Sequence, residues 1–239
     1  MKLTYIGHAT VLMEMGSLNI LTDPWFTEGP AVAKRKKIPT IQPSGLPKID
    51  LILLSHEHFD HFDKKSLQLL EKDCTVIAHA GLKSKIEKLG FEDVKCLKVW
   101  ETTEKGSLKI TATPADHTNF SLGFLLQNDQ TIYFAGDTKM IPVDFERIGE
   151  TYSLDLAILP IGGVKIFGMI KKVMDPDDAV KALGLLKPAN VLPIHWGTFK
   201  EKSVLMTMPG MPETFTSLIT QENLSCTVLQ LDEGASMEL

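Results

Sequence analysis

Six residues, Ile49-Asp50-Leu51-Ile52-Leu53-Leu54, run almost unbroken through apolar side chains and stop at Ser55-His56-Glu57-His58-Phe59-Asp60-His61. A short apolar run with a polar end is the pattern of a strand covered on both faces. Such a strand needs further layers above and below it, which points to a layered α/β chain rather than a helical bundle or a one-faced sheet. The polar residues that follow occupy the loop after the strand end, where α/β scaffolds build their sites. Seven histidines in 239 residues is an ordinary number, but three of them stand within six positions here, with Asp60 among them. Alternate residues of extended chain point the same way, so His56 and His58 are placed to share one ion, while Asp60 and His61 turn toward a neighbouring position. Glu57, between these residues, is expected to point away.

The rest of the chain repeats one scheme twice. Strands are expected at 2–6, 10–15 and 18–22 as an antiparallel meander, with turns at Gly7 and Gly16-Ser17. An irregular stretch to about residue 49 is too long for an ordinary connector and reads as a functional loop or lid. After the strand at 49–54 come helical spacing at 64–72, a strand at 76–78 and a helix at 81–89. Residues 107–113, 122–127 and 130–135 form a second antiparallel set. The alternation then resumes with helices at 142–149 and 176–187, strands at 155–159 and 190–194, and a last helix and strand at 212–221 and 226–230. No Pro- or Ser-rich linker divides the halves, so the expectation is one α/β (α+β) domain over residues 1–239, with similar halves at about 1–120 and 121–239.

Further ligand-type residues stand at the ends of these strands. His117, preceded by Asp116, follows the strand at 107–113; Asp137 follows a strand and Gly136; His195 follows Val191-Leu192-Pro193-Ile194. Any one of them alone would read as a polar strand cap. Together with residues 56–61 they read as a metal site assembled from several strand ends. His8 and Asp23, after the first and third strands, are expected either to cap those strands or to hydrogen-bond a ligand imidazole, and Asp116 has the same status.

Taken together these motifs resemble the metallo-β-lactamase superfamily. SHEHFDH is similar to its His-x-His-x-Asp-His signature, DHT to its later histidine, AGDT to its bridging aspartate and PIHWGTF to its last histidine. The nearest likeness is to the branch holding ascorbate-6-phosphate lactonase and N-acyl phosphatidylethanolamine phospholipase D. The resemblance implies a four-layer αββα sandwich. It also implies two divalent ions, zinc first and manganese or iron as alternatives, with His56, His58 and His117 on one, Asp60, His61 and His195 on the other, and Asp137 between them. The reaction implied is hydrolysis of an ester, lactone or phosphodiester bond in a small, anionic substrate by a hydroxide held between the ions, with Asp60 orienting the nucleophile or protonating the leaving group. Where the superfamily's di-iron redox branch carries a glutamate, this chain has His58, which favours hydrolysis. Lys139-Met140 and Val173-Met174-Asp175-Pro176 depart from those relatives, so the substrate shell is expected to differ from theirs.

Composition limits the alternatives. A net charge of −5 offers no basic field for nucleic acid, and no apolar stretch is long enough to span a membrane. A cytoplasmic protein without nucleic-acid partners is the expectation; a nuclease of the same fold and a non-catalytic metal-binding protein are the other readings, and homo-oligomerisation stays open. Cys74, Cys96 and Cys226 are too scattered for a disulfide framework or a thiolate metal site. Lys34-Arg35-Lys36-Lys37 reads either as a solvated face or as an anion contact. The segments 162–174 and 204–211, rich in Met and Ile, read either as ordinary packing or as an adaptable apolar wall beside the site.

Overall fold

The computed structural model describes residues 1–166, 170–200 and 206–239. The first sheet holds β1 (Lys2–Gly7), β2 (Thr10–Met15), β3 (Leu18–Thr22), β4 (Leu51–Leu53), β5 (Thr75–Ala78) and β6 (Val94–Cys96), with α1 (Lys64–Leu69) and α2 (Lys83–Glu87) in its crossovers. The second holds β7 (Thr102–Lys105), β8 (Leu108–Pro114), β9 (Leu122–Gln127), β10 (Thr131–Phe134) and β11 (Leu156–Pro160), with α3 (Pro142–Thr151) between the last two. Then come β12 (Lys165–Ile166), β13 (Ile170–Lys171), α4 (Pro176–Leu186), β14 (Asn190–Ile194), β15 (Met206–Thr207), α5 (Pro212–Gln221), β16 (Thr227–Val228) and β17 (Ser236–Glu238).

Strand order is β17-β1-β2-β3-β4-β5-β6 in one sheet and β16-β14-β11-β10-β9-β8-β7 in the other, while β13-β12-β15 form a small third sheet. Each large sheet is antiparallel over its meander and parallel over its α/β portion. Three cores alternate with the layers. Between the sheets lie Leu3, Tyr5, Val11, Leu51, Leu53, Ile110, Phe124, Phe134, Ile158 and Leu192. The outer face of the first sheet packs Leu12, Ile52 and Val76 against Leu67 of α1 and Ile86 of α2. The outer face of the second packs Tyr133, Ala157 and Val191 against Phe145 of α3, Leu183 of α4 and Phe215 of α5. Leu51 and Leu53 thus face one core and Ile52 the other, which is why the apolar run does not alternate. The result is the αββα order.

Some elements differ from expectation. β6, β7 and β17 carry Lys95, the run Thr-Thr-Glu-Lys and Ser-Met-Glu, short polar sequences of sheet edges that give no apolar alternation to read. The helix expected at 81–89 is a 3-10 turn over Ala80–Leu82 followed by the shorter α2. Asp63 caps α1 by accepting from the N–H groups of Lys65 and Ser66. The basic run does not act as one face: Arg35 is buried, donates to the Trp25 carbonyl at 2.8 Å and lies 4.4 Å over the Trp25 ring, while Lys34 pairs with Glu28 at the surface. Among the described residues no helix is long and apolar enough to cross a membrane.

Candidate metal centre

The loop after β4 turns back on itself, since the N–H groups of His61 and Phe62 both donate to the His58 carbonyl. This turn, rather than extended alternation, presents His58 and His61 in different directions. The structure brings His56, His58 and His117 together with ring centroids 4.7 to 4.8 Å apart and interplanar angles of 78° to 83°, forming a three-walled cup. Asp60, His61 and His195 meet beside it, joined by His8, and the ligand-type atoms of these four lie within 4.8 Å of one another. Asp137 stands between the groups, within the same reach of His56 and His61, and its Oδ2 is 3.1 Å from His195 Nε2 and 3.8 Å from His117 Nε2.

Burial grades across the centre. His8, His56 and His61 are wholly inaccessible, Asp60, Asp137 and His195 nearly so, whereas His117 is half-buried and His58 is exposed. Solvent therefore reaches the centre from the His58 and His117 side.

The hydrogen bonds fix which nitrogen each ring turns inward. Ser55 Oγ donates to Asp23 Oδ2 at 2.5 Å, so with its one proton engaged it accepts from His56 Nδ1 at 3.0 Å. His61 Nδ1 donates to Asp23 Oδ2 at 2.7 Å, and His117 Nδ1 donates to the Lys172 carbonyl at 3.0 Å. In all three rings Nδ1 is thus the outward donor and Nε2 the nitrogen aimed at the centre, the one that ligates metal when it carries no proton. The Nε2 atoms of His56, His61 and His195 and Oδ1 of Asp137 are buried without a hydrogen-bond partner. Four such atoms at one place are costly unless something satisfies them, and a divalent cation does so with a nitrogen and oxygen donor set free of sulfur. The residues fit the group.

Electrostatics agree. Burial alone would raise the carboxyls of Asp60 and Asp137, but the facing histidines hold both well below the ordinary range. Burial opposes a charge on His195 too, yet Asp137 and Asp60 lift it to about 9, and they raise His61 as well. His8 goes the other way: burial, with His195 beside it, pushes it down to about 3.

Backbone strain gathers here. His8, Asp23 and His195 take φ of 59°, 34° and 55°, a region that costs a side-chain-bearing residue on the order of 1–3 kcal/mol each and persists where tertiary contacts impose it. Gly136 has φ 59°, and a Cβ there would stand 2.7 Å from Ser55 Cβ, so the approach of β10's end to Ser55 depends on glycine.

Residues named from sequence fall into two sets. Beyond the seven ligand-type residues, His8 and Asp23 join the centre, His8 bonding the Asp60 carboxylate at 3.1 Å rather than an imidazole. Asp116 does not join it; its carboxylate pairs with Lys139 at 2.9 Å on the surface. Glu57 points away to Lys85. Sequence reading missed Ser55, Thr198 and the Lys172 carbonyl. Ser55 had a visible cue, its place beside His56 at a strand end, whereas the other two arrive through contacts remote in sequence. Of the methionine-rich segments, Val164 and Met174 are core, Ile170 and Met211 are exposed, and Phe167, Met169, Val204 and Leu205 lie outside the described residues.

The family described as Beta-lactamase superfamily domain matches residues 18–196. A UPF0173 metal-dependent hydrolase of Rubrobacter xylanophilus is 33% identical over 230 residues, covering 90% of this chain and 86% of its own. Another from Methanopyrus kandleri is 28% identical over 251 residues and is covered completely, as is this chain. Among solved structures, Igni18, a metallo hydrolase from Ignicoccus hospitalis, aligns with TM-score 0.80 at 25% identity over 100% of this chain and 98% of its own. An isothiocyanate hydrolase from Delia radicum gut bacteria has TM-score 0.83 at 20% identity over 100% of this chain and 99% of its own, a likeness of fold alone.

Proposed function

Because the chain belongs to the metallo-β-lactamase superfamily, and relatives of nearly its own length are named metal-dependent hydrolases, we propose that it is a metal-dependent hydrolase holding two divalent ions. The reading rests above all on the buried, partnerless Nε2 atoms of His56, His61 and His195 facing Asp137. His56, His58 and His117 would hold one ion, Asp60, His61 and His195 the other, and Asp137 both. Zinc suits this donor set, and manganese and iron share it. Bound there, the ions supply water activation near neutral pH and polarisation of a substrate oxygen.

The chain's own residues do the remainder. The carbonyl of Lys172, together with Asp23 and Ser55, keeps three rings in the ligating tautomer. His58 and His117 form the open side, so substrate enters against them. Asp60, accepting from His8, would orient the attacking water or carry the proton to the leaving group. The substrate in this reading is a small molecule with an anionic group and an ester, lactone or phosphodiester bond. The specific activities of the ascorbate-6-phosphate lactonase and phospholipase D branch are not carried over, since Lys139-Met140 and Val173-Met174 depart from them.

A panel of lactone, acyl-ester and phosphodiester substrates, run with metal-loaded and chelated protein, tests the reading. Turnover of at least one class that disappears on chelation supports it; no turnover of any class by protein loaded with zinc, manganese or iron counts against it.

A further inference from the structure

We infer that His8 is a positioning residue for one of the two ions, fixing Asp60 and His195 together so that its loss weakens that ion's site and leaves the other intact. The inference rests on the two-ion reading above.

Both ring nitrogens of His8 and its carbonyl are bonded to other parts of the fold. Its Nε2 lies 3.1 Å from Asp60 Oδ2, its Nδ1 lies 3.0 Å from Thr198 Oγ1, and its carbonyl accepts the backbone N–H of His195 at 3.0 Å and the Tyr5 hydroxyl at 3.3 Å. One residue thus holds the side chain of Asp60 and the backbone of His195, from different sheets. The direction of its bond to Asp60 does not depend on its charge. As a neutral ring it donates Nε2–H to the carboxylate and accepts a hydrogen bond from the Thr198 hydroxyl at Nδ1. As a cation it donates from both nitrogens, and Thr198 turns its proton to the Trp196 carbonyl, also 3.0 Å away. Either way an N–H points at Asp60.

The surroundings enforce this placement. The ring is wholly buried, edge-on to Trp25 at 5.0 Å and 4.1 Å from the His195 ring, on a backbone held at φ 59°. Thr198 is pinned in turn, since its carbonyl accepts the Lys36 N–H at 2.7 Å and the neighbouring Phe199 bridges to Arg35. That gives the loop of the basic run a role through its backbone. None of these contacts reaches His56, His58 or His117, so the effect is confined to the group containing Asp60, His61 and His195. His8 and Thr198 also stand outside residues 18–196, the span that matches the superfamily.

Calorimetric titration of chelator-stripped protein with zinc tests this. His61→Ala first identifies which binding step belongs to the Asp60 group. His8→Ala is expected to weaken that step about 10–100-fold while the other step is unchanged, as for loss of a residue that orients a ligand. His8→Gln, whose amide keeps an N–H within reach of Asp60, recovers most of the loss, and Thr198→Val gives a smaller loss at the same step. If His8→Ala does not fold, the selective loss in Thr198→Val decides. Equal weakening of both steps, or no weakening in either variant, overturns the role of His8 while leaving the two-ion reading standing. Wild-type protein that takes up fewer than two zinc ions overturns the two-ion reading and this inference with it.

Discussion

Asp23 accepts the Nδ1–H of His61 at 2.7 Å from the end of a strand 38 residues away, and the same carboxylate takes both the backbone N–H and the hydroxyl of Ser55. Through Ser55 it also reaches His56. One wholly buried carboxylate therefore sets the tautomers of rings assigned to different ions.

Three donors converge on Asp23, and an asparagine would turn its own NH2 group against at least one of them. Asp23→Asn is expected to lower zinc affinity about 10–100-fold and to destabilise the fold by about 1–3 kcal/mol. Zinc titration and thermal melting measure the two effects. An unchanged affinity would show that Asp23 does not orient the ligands.

Asp60 and Glu57 are close in sequence and opposite in role. Asp60→Ala should reduce hydrolysis about 10²–10⁴-fold, the usual weight of a positioned acid or base. Glu57→Ala, which removes only a surface pairing with Lys85, should leave kcat/KM near wild type. Assays of both variants on the same substrate provide the check; equal losses would contradict the assignment.

Gly136→Ala places a side chain at φ 59° and 2.7 Å from Ser55 Cβ. The left-handed backbone alone costs about 1 kcal/mol, and the collision pushes Ser55 and Asp137 apart. A lower melting temperature together with weaker zinc binding is expected. A melting temperature equal to wild type would mean that the strand end can move.

The metal-free protein should lose stability as pH rises. His195 in the folded chain is lifted to about 9 and His61 is also raised, above an unfolded value near 6.5. A raised folded pKa contributes stability that is fully present below about 6.5 and is lost as pH climbs through about 9. His8 and His56, lowered in the fold, act in the opposite sense and make the same protein less stable as pH falls below about 6.5. Melting temperatures of chelated protein should fall from pH 6.5 to 9, while zinc-loaded protein, with the ion in place of the protons, should vary little over that window. A rise for the chelated protein would contradict the placement of His195 against Asp137.

Much of this could be read from the chain itself, for identifiable reasons. The run Leu51-Ile52-Leu53 announces its burial because both faces are covered, and His56 to His61 are legible because one loop carries them all. His117, Asp137 and His195, each alone in its segment, are legible through their shared place at strand ends and through the resemblance of DHT, AGDT and PIHWGTF to the family's motifs. Local sequence could not show that His8 would meet Asp60 rather than an imidazole, or that Thr198 would meet His8, because those contacts span 52 and 190 residues. Arg35 looked like part of a solvated run for a similar reason: its partners Trp25 and Glu233 are brought to it by the fold. Edge strands such as Thr102–Lys105 lacked the apolar pattern that marks covered ones.

The most direct test of the account is metal content with activity, measured on the same protein stripped by chelation and reloaded with zinc. Two ions per chain are predicted, with hydrolysis lost on stripping and restored on reloading. Hydrolysis that survives complete removal of metal, or a reloaded protein that holds no zinc, would contradict it.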